Sequence, residues 1–577
     1  MEADEALQDH PLHENQHGFR AGRGTDSAIS QLAIYVECFL LKDEACLAVF
    51  LDIQAAFDSI KPEHIKAMLL RYGVEPNLVE WYYLLLTHRD LRITLHSETQ
   101  EISIGTGFPQ GGVCSAAFWV MAYDEALHIM NTNIILGLGY ADDMAGLIGG
   151  TDKDFMHRKL QKRLDMLVEW GKPRGLKFNS SKTVVVLFTR NSKLDKQPSQ
   201  QMTMEGTTLT RSDSATYLGV TLDKKLFWRE HINKRIATSK QLMLKLNACV
   251  RGIWGPKPKM TKYAYQGIII PKLTYACLAW GHELTTKLMC NKLHSLNRLA
   301  MQLMTSLPRS TPTLAGEVIL GLMPIDLIIQ TKGLKDYLRL RPILSPPAQT
   351  INKHKLRHNI SHTQYWHEMA VSSRTLHIAT DKCKDIVWDK HYKVNTDSFD
   401  GKRKHVMRSE YTIYTDAAGA VIYHKNQIIA SILTKLPDEA TVFQAELIGI
   451  KTGYEFFFDN PNHTPKFVKI ISDSQAALLA LNNNTFTSST VLDTAEVASN
   501  LAWIERKVTL AWTKAHVGTT GNKMADQAAK QAANANNNQI HTPLPTAHRN
   551  NLINEYFRLK WEDRWSRTPT CKHTKLF

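Results

Sequence analysis

The stretch CLAVFLDIQAAFDSI, residues 46–60, starts as a short apolar run and ends that run on a carboxylate, Asp52. A run of this length bounded by polar residues predicts a buried strand over 46–52, with the acid delivered at its end. YADDMAGLI (140–148) makes a second delivery, because the alternation over 134–149 predicts a hairpin with Asp142-Asp143 at its tip. Two carboxylates about 4 Å apart repel by a few kcal/mol at intermediate effective dielectric, so acids converging on adjacent strand ends normally signify a metal site. Phosphoryl transfer at neutral pH is commonly solved by two Mg²⁺ ions about 3.5–4 Å apart, held by clustered hard carboxylate ligands. Taken singly, each aspartate would serve equally well as a helix or turn cap.

Outward from these acids the pattern is α+β. Asp26 is placed to cap a helix through Ile29, Leu32, Ala33 and Val36. Helices are predicted near 62–72 and 77–87, a hairpin near 91–105, a long helix after Gly112, and an amphipathic helix over 152–172. Strands near 183–189 and 215–220 complete the layer. From about 226 to 340 the pattern turns helical, with Leu314, Val318 and Leu322 on one face of a segment opened by Thr311-Pro312 and closed by Pro324. Proline-rich and charged stretches suggest a linker over 341–409. A new domain is predicted over 410–534, built from three strands (411–434), a helix (442–457), strands at 467–472 and 508–513, and a helix from 520. A tail over 535–577 carries a Trp561/Trp565 helix.

The 577 residues are 43% hydrophobic and 22% charged, the composition of an ordinary folded protein rather than a disordered or fibrous one. Lys and Arg number 70 against 55 Asp and Glu, a formal charge of +15 that points to a polyanionic partner, most often nucleic acid. The eight cysteines form no C-x-x-C pair, so neither a disulfide framework nor a zinc ribbon is signalled, and they are expected to be reduced intracellular thiols. The longest apolar stretch, near 268–280, is interrupted by Lys272, so no membrane insertion is expected.

LDIQAAFDSI (51–60), GFPQGGVCSAAFW (107–119) and YADDMAGLI (140–148) follow one another in order, flanked by QHGFRAGRGTDSAI (16–29), GLKFNSSKT (175–183), TYLGV (216–220) and STPTLAGEVILGLMPIDL (310–327). Together they resemble a reverse transcriptase of the non-LTR, jockey-like retrotransposon class. The resemblance implies a partial fingers plus ferredoxin-like palm over 1–225 and a helical thumb or connection over 226–340. It makes Asp52 and Asp142 ligands of both catalytic metals, with Asp143 the adjacent acid. It makes Phe57 the ring that crowds a ribose 2′-OH and so selects deoxynucleotides, although a core Phe on an amphipathic segment would look the same. By the same resemblance Arg20 faces the incoming triphosphate, Gln110 and Gly111 approach the base pair, Lys182 belongs to the motif after the hairpin, and Gly219 grips the primer end. A solvated basic face or simple packing stays open for Arg20, Lys182 and Gly219.

A second acidic set stands in the C-terminal domain: Asp416 after YTIYT, Glu446 in FQAELIGI, Asp473 after VKIIS, and Asp526 in GNKMADQAAK. Their order, with WTKAHVGTTGNKMAD (512–526), resembles type 1 ribonuclease H. That implies an α/β domain with a mixed five-stranded sheet whose four acids hold two metals, and a loop histidine, His516, that shuttles protons or aids product release. A structural loop histidine is the alternative. Ala417-Ala418 replaces the Gly-Ser common after the first acid.

The expected function is RNA-directed DNA polymerisation with ribonuclease H cleavage of the product hybrid. The expected cofactor is Mg²⁺, two per site, with Mn²⁺ an alternative. The expected partners are an RNA template, a DNA primer, RNA-DNA hybrid and deoxynucleoside triphosphates, with no membrane. The family's copying onto chromosomal DNA implies a nuclear location. Family members ordinarily carry an earlier fingers segment and an apurinic-type endonuclease before QHGFR, so the start of this chain implies an N-terminally truncated fragment. Two narrower readings fit the same motifs: ribonuclease H alone on an inactive palm, or a non-enzymatic relic that binds nucleic acid.

Overall fold

The computed structural model describes residues 11–568 apart from 97, 199, 251–257, 286, 306, 307, 309, 345–360, 376, 377, 379, 382–385, 388, 389, 396–409, 461, 464, 465, 504–506, 515–519 and 535–541. The chain divides into two units, Met1–Ser373 with Asn554–Phe577, and Arg374–Ile553.

The first unit is organised by a five-stranded sheet in the order Thr210–Ser212, Val184–Thr189, Ala45–Leu51, Asp143–Gly150, Ile135–Tyr140. Ala45–Leu51 is central and buried at every position, which is why it reads as an unbroken apolar run. Its residues alternate between two cores. Leu47, Val49 and Leu51 face a layer formed by the helices Pro62–Arg71, Pro76–Thr87, Ser115–Met130 and Lys153–Arg174, whereas Cys46, Ala48 and Phe50 face Thr25–Leu40 and the helical module. The antiparallel register sets Leu51 opposite Met144. The next residue along one strand, Asp52, and the preceding residue on the other, Asp143, therefore emerge at the same end of the sheet.

Local details differ from the sequence expectation. The cap of Thr25–Leu40 is Gly24, whose backbone N–H donates to the Ser27 hydroxyl at 3.0 Å. Asp26 lies inside the first turn, where Lys332 at 3.9 Å and Arg339 at 4.0 Å draw its carboxylate away from a capping role. Residues 215–220 are not one strand of the main layer but part of a separate hairpin, Ser214–Tyr217 with Val220–Asp223. Leu218 (φ 46°) and Gly219 (φ 73°) are both left-handed, the geometry of a tight two-residue hairpin turn. In the helical module Thr313–Leu320 stops at left-handed Gly321 (φ 58°), so Leu322 falls outside it and Pro324 instead caps Ile325–Leu340.

Part of the predicted linker is folded. His362–Ser372 is a helix anchored by fully buried Trp366, whose indole N–H donates to the Leu278 carbonyl at 2.7 Å. Lys393–Asn395 is a strand of the second unit. The predicted tail contains Thr546–Ser566, on which Arg564 makes a two-armed contact with Asp326 at 2.7 and 3.0 Å. Among the described residues no single helix is long and apolar enough to cross a membrane.

The second unit has a six-stranded sheet in the order Lys393–Asn395, Lys507–Trp512, Phe467–Ser472, Tyr411–Asp416, Gly419–His424, Gln427–Leu433. The first four strands run parallel, Gly419–His424 pairs antiparallel with Tyr411–Asp416, and Gln427–Leu433 pairs antiparallel with Gly419–His424. The expectation was five strands. The extra edge is the three-residue Lys393–Asn395, too short and polar to register as a strand in a charged stretch. Ile413, Val468, Ile470 and Leu510 pack on Leu447, Ile450 and Tyr454 of the helix Val442–Asp459, while Val421 on the other face packs on Ala525 and Ala528 of Thr520–Asn534.

Candidate active sites

The first site lies at the end of the five-stranded sheet where Asp52 and Asp143 emerge. Tyr140 pairs with Asp143, leaving Ala141-Asp142 as the hairpin turn, with Ala141 left-handed at φ 55°. The Trp119 indole N–H donates to the Ala141 carbonyl at 3.1 Å and fixes that peptide. The Asp52 carbonyl accepts from the Asn179 N–H at 2.8 Å, tying the strand end to the segment before Lys182. The Lys182 ammonium, largely exposed, is 3.5 Å from an Asp52 carboxylate oxygen. Burial, and then the charges of Asp142 and Asp52, push the Asp143 carboxyl up to about 6. An acid whose proton affinity is raised by burial and by two neighbouring carboxylates is short of positive charge, so the donor set suits a hard divalent cation.

Around this centre Phe57 sits on a short helical turn, Ala56–Ser59, entered through left-handed Ala55 (φ 44°). Its ring is half-buried and stacked on Trp119 at 5.1 Å. Gln110 is exposed and its amide reaches Asp58 at 3.2 Å. Gly111 is left-handed at φ 88° with open space beside it. The Arg20 guanidinium donates to the His13 carbonyl at 2.9 Å. The Gly219 carbonyl accepts from Arg235 at 2.9 Å, and the Leu218 carbonyl accepts from the Tyr275 hydroxyl at 2.8 Å. The structure thus groups Asp52, Asp142, Asp143 and Lys182, and places Gln110, Arg20 and Gly219 in contacts of their own within the chain. Trp119 is the residue that sequence reasoning passed over. Its signal was the aromatic ending GFPQGGVCSAAFW, which reads simply as helix core.

The second site is tighter. Asp416 ends its strand, and Asp473 follows the neighbouring parallel strand, with Thr415 opposite Ser472. Glu446 comes from the helix Val442–Asp459, started by a capping box between Thr441 and Gln444. Ligand oxygens of Asp416, Glu446 and Asp473 all lie within 4.8 Å of one another. A Cβ at Gly449, one turn beyond Glu446, would lie 2.1 Å from the Ala417 carbonyl oxygen, so glycine there lets the helix seat against the Asp416 turn. Glu446 is 7% exposed, and its Oε2 is buried without a hydrogen-bond partner. Burial, with the charges of Asp416 and Asp473, pushes its carboxyl up to about 7. An orphaned buried carboxylate oxygen facing two further carboxylates fits a site built for a cation.

Ser474 caps the helix Gln475–Asn482, and the Trp512 indole N–H donates to the Asp473 carbonyl at 3.0 Å. Asn522, unnoticed in the sequence, donates to an Asp473 carboxylate oxygen at 3.1 Å. Asp526, one turn further along that helix, is ion-paired with Lys530 at 2.6 Å and stands outside the close group of three. His516 lies outside the described residues.

A sign follows for stability. Glu446 binds its proton more tightly in the native state than in the unfolded chain, so metal-free stability is fullest below about 4.5 and is lost as pH rises to about 7. In EDTA the second unit is expected to melt lower at pH 8 than at pH 5. Mg²⁺ at pH 8 should reverse the loss by binding the charged form. Glu446→Gln should flatten the slope, as read by differential scanning calorimetry.

Residues 3–222 match the family model described as reverse transcriptase (RNA-dependent DNA polymerase), and residues 408–534 match that of RNase H. The chain thus carries a reverse transcriptase domain followed by an RNase H domain, and the relatives it matches are proteins of non-LTR retrotransposons. Relatives of the chain include a putative 115 kDa protein of a type-1 retrotransposable element in Drosophila melanogaster, 25% identical over 321 residues. Others are the probable RNA-directed DNA polymerase from transposon BS of the same organism, 28% identical over 310 residues, and the RNA-directed DNA polymerase from mobile element jockey of Drosophila funebris, 27% identical over 304. These matches cover 56%, 52% and 51% of this chain, but only 30%, 33% and 32% of the respective relatives. A solved telomerase structure from Candida tropicalis aligns over 59% of each chain at 12% identity and a TM-score of 0.30, too distant to bear on function.

Proposed function

We propose that the chain extends a DNA primer on an RNA template and hydrolyses the RNA strand of the resulting hybrid. The observation that carries the proposal is the pair of separate carboxylate centres, each with an acid driven toward protonation by burial and by its neighbours, in the two matched domains. Asp52, Asp142 and Asp143 would hold Mg²⁺ in the first domain, and Asp416, Glu446, Asp473 and Asp526 in the second. Mn²⁺ has the same hard-ligand preference. The bound cations would supply Lewis acidity, lowering the pKa of the attacking hydroxyl or water and neutralising charge on phosphate.

The chain's own residues then do the positioning. Trp119 holds the Ala141 peptide and with it the hairpin turn that carries Asp142. Lys182 offsets the Asp52 charge and lies at the mouth of the acids, where a triphosphate brings negative charge. Phe57 walls the sugar position against a 2′-OH. Asn522 orients the Asp473 carboxylate from the opposite helix, as an outer-shell partner of a metal ligand does. The excess of 15 positive charges serves backbone binding, so affinity for nucleic acid should fall with salt. Copying onto chromosomal DNA would place the protein in the nucleus. The test is one preparation supplied with primer, RNA template, deoxynucleotides and Mg²⁺, in which primer lengthening is followed by shortening of the template RNA.

A further inference from the structure

Residues other than glycine held in left-handed backbone around the first site include Phe19 (φ 50°), Ala55 (φ 44°) and Ala141 (φ 55°). Such strain persists only where surrounding structure over-determines it. Ala141 precedes Asp142, and Ala55 leads into the turn of Phe57, but Phe19 has no assigned part.

The segment before Phe19 is fastened to the hairpin that carries Asp142. The His17 N–H donates to the Gly139 carbonyl at 2.8 Å, and the Gly139 N–H to the Asn15 carbonyl at 3.0 Å. A Cβ at Gly18 would lie 2.3 Å from the Ala141 backbone nitrogen, so the two backbones touch. Held in this way, the Phe19 ring projects outward and is 58% exposed. Its one ring contact among the described residues is Phe57, edge to face at a centroid distance of 6.5 Å and an interplanar angle of 84°. The rest of the Phe57 cage is core: Phe108 edge-on at 6.4 Å and Trp119 stacked at 5.1 Å, both essentially buried. Phe19 is therefore the removable wall of the cage, and it rides on the same hairpin as Asp142.

We infer that Phe19 is a positioning residue for sugar selection, which holds the Phe57 ring against the sugar of the incoming nucleotide and keeps it registered to the Asp142 hairpin. The inference rests on the polymerase function proposed above. Because Phe19 acts through Phe57, its effect on selectivity should disappear when Phe57 is absent. A role in loop stability alone would persist.

The experiment is single-nucleotide incorporation by the full chain on an RNA template, comparing kcat/KM for dCTP and CTP. Phe19→Ala should lower the deoxy-to-ribo ratio roughly two- to tenfold, what the loss of one edge-to-face ring pair is worth. Phe19→Tyr should restore it. In the Phe57→Ala background, adding Phe19→Ala should leave the ratio where it was. A ratio unchanged by Phe19→Ala, or a fall of equal size in both backgrounds, would overturn the inference while leaving the polymerase in place. A wild-type chain that incorporates neither nucleotide would remove the polymerase function and this inference together.

Discussion

Asp473→Asn should cut hybrid cleavage by about 10³-fold, the rate equivalent of about 4 kcal/mol of lost transition-state stabilisation. Asp473 is tied to the site in three ways: it shares the close oxygen cluster, raises the Glu446 carboxyl, and accepts from Asn522. The amide keeps the shape and loses the charge. The variant should therefore show opposite signs in two measurements. Activity falls because a cation ligand is lost, yet in EDTA at pH 8 the protein should melt higher than wild type, because Glu446 ionises against one less charge. Mg²⁺ should add less stability to the variant than to wild type. Primer extension should be unaffected, since the polymerase acids belong to the other unit. Cleavage assays on a labelled RNA-DNA hybrid, with melting curves at matched pH, check all of this. Persistence of cleavage would remove Asp473 from the cation site.

Asp52→Asn is the counterpart in the first unit, with an expected loss of primer extension of about 10³-fold or more on the same grounds. Asp52 directly follows the most buried strand of the unit, at the end of the sheet where Asp143 begins the neighbouring strand. The amide should lower the proton affinity of Asp143, which burial, Asp142 and Asp52 together hold near 6. The ion pair with Lys182 would also go, but that lysine is exposed, and such pairs are worth about 0–1 kcal/mol, so the fold should be little disturbed. Hybrid cleavage should persist. Steady-state extension with a labelled primer, beside hybrid cleavage by the same sample, separates loss of chemistry from loss of folding.

The strand that delivers Asp52 and the hairpin that delivers Asp142-Asp143 are readable because each is short, apolar and closed by acids, whereas the pairing of Ala45–Leu51 with Asp143–Gly150 that brings them together joins segments distant in sequence. The close approach of Asp416, Glu446 and Asp473 was readable from motif order, since two strand ends and one helix carry them. What escaped was set by contacts distant in sequence. Asn522 becomes relevant only once the helix Thr520–Asn534 packs beside Asp473, and Trp119 only once its indole meets the Ala141 carbonyl. Lys393–Asn395 is a strand because Lys507–Trp512 offers it an edge, which no local propensity announces. The Asp26 cap failed for a similar reason: Lys332 and Arg339, some three hundred residues away, claim the carboxylate. Leu218-Gly219 reads as part of a strand in the sequence because the left-handed backbone of a leucine has no sequence signature.

The most direct measurement is extension of a labelled DNA primer on an RNA template by the wild-type chain, with deoxynucleotides and Mg²⁺, beside Asp142→Asn. Template-directed incorporation in wild type that vanishes in the variant and in EDTA is the predicted result. No incorporation by a wild-type preparation that still cleaves an RNA-DNA hybrid would contradict the account, leaving a nuclease on an inactive palm.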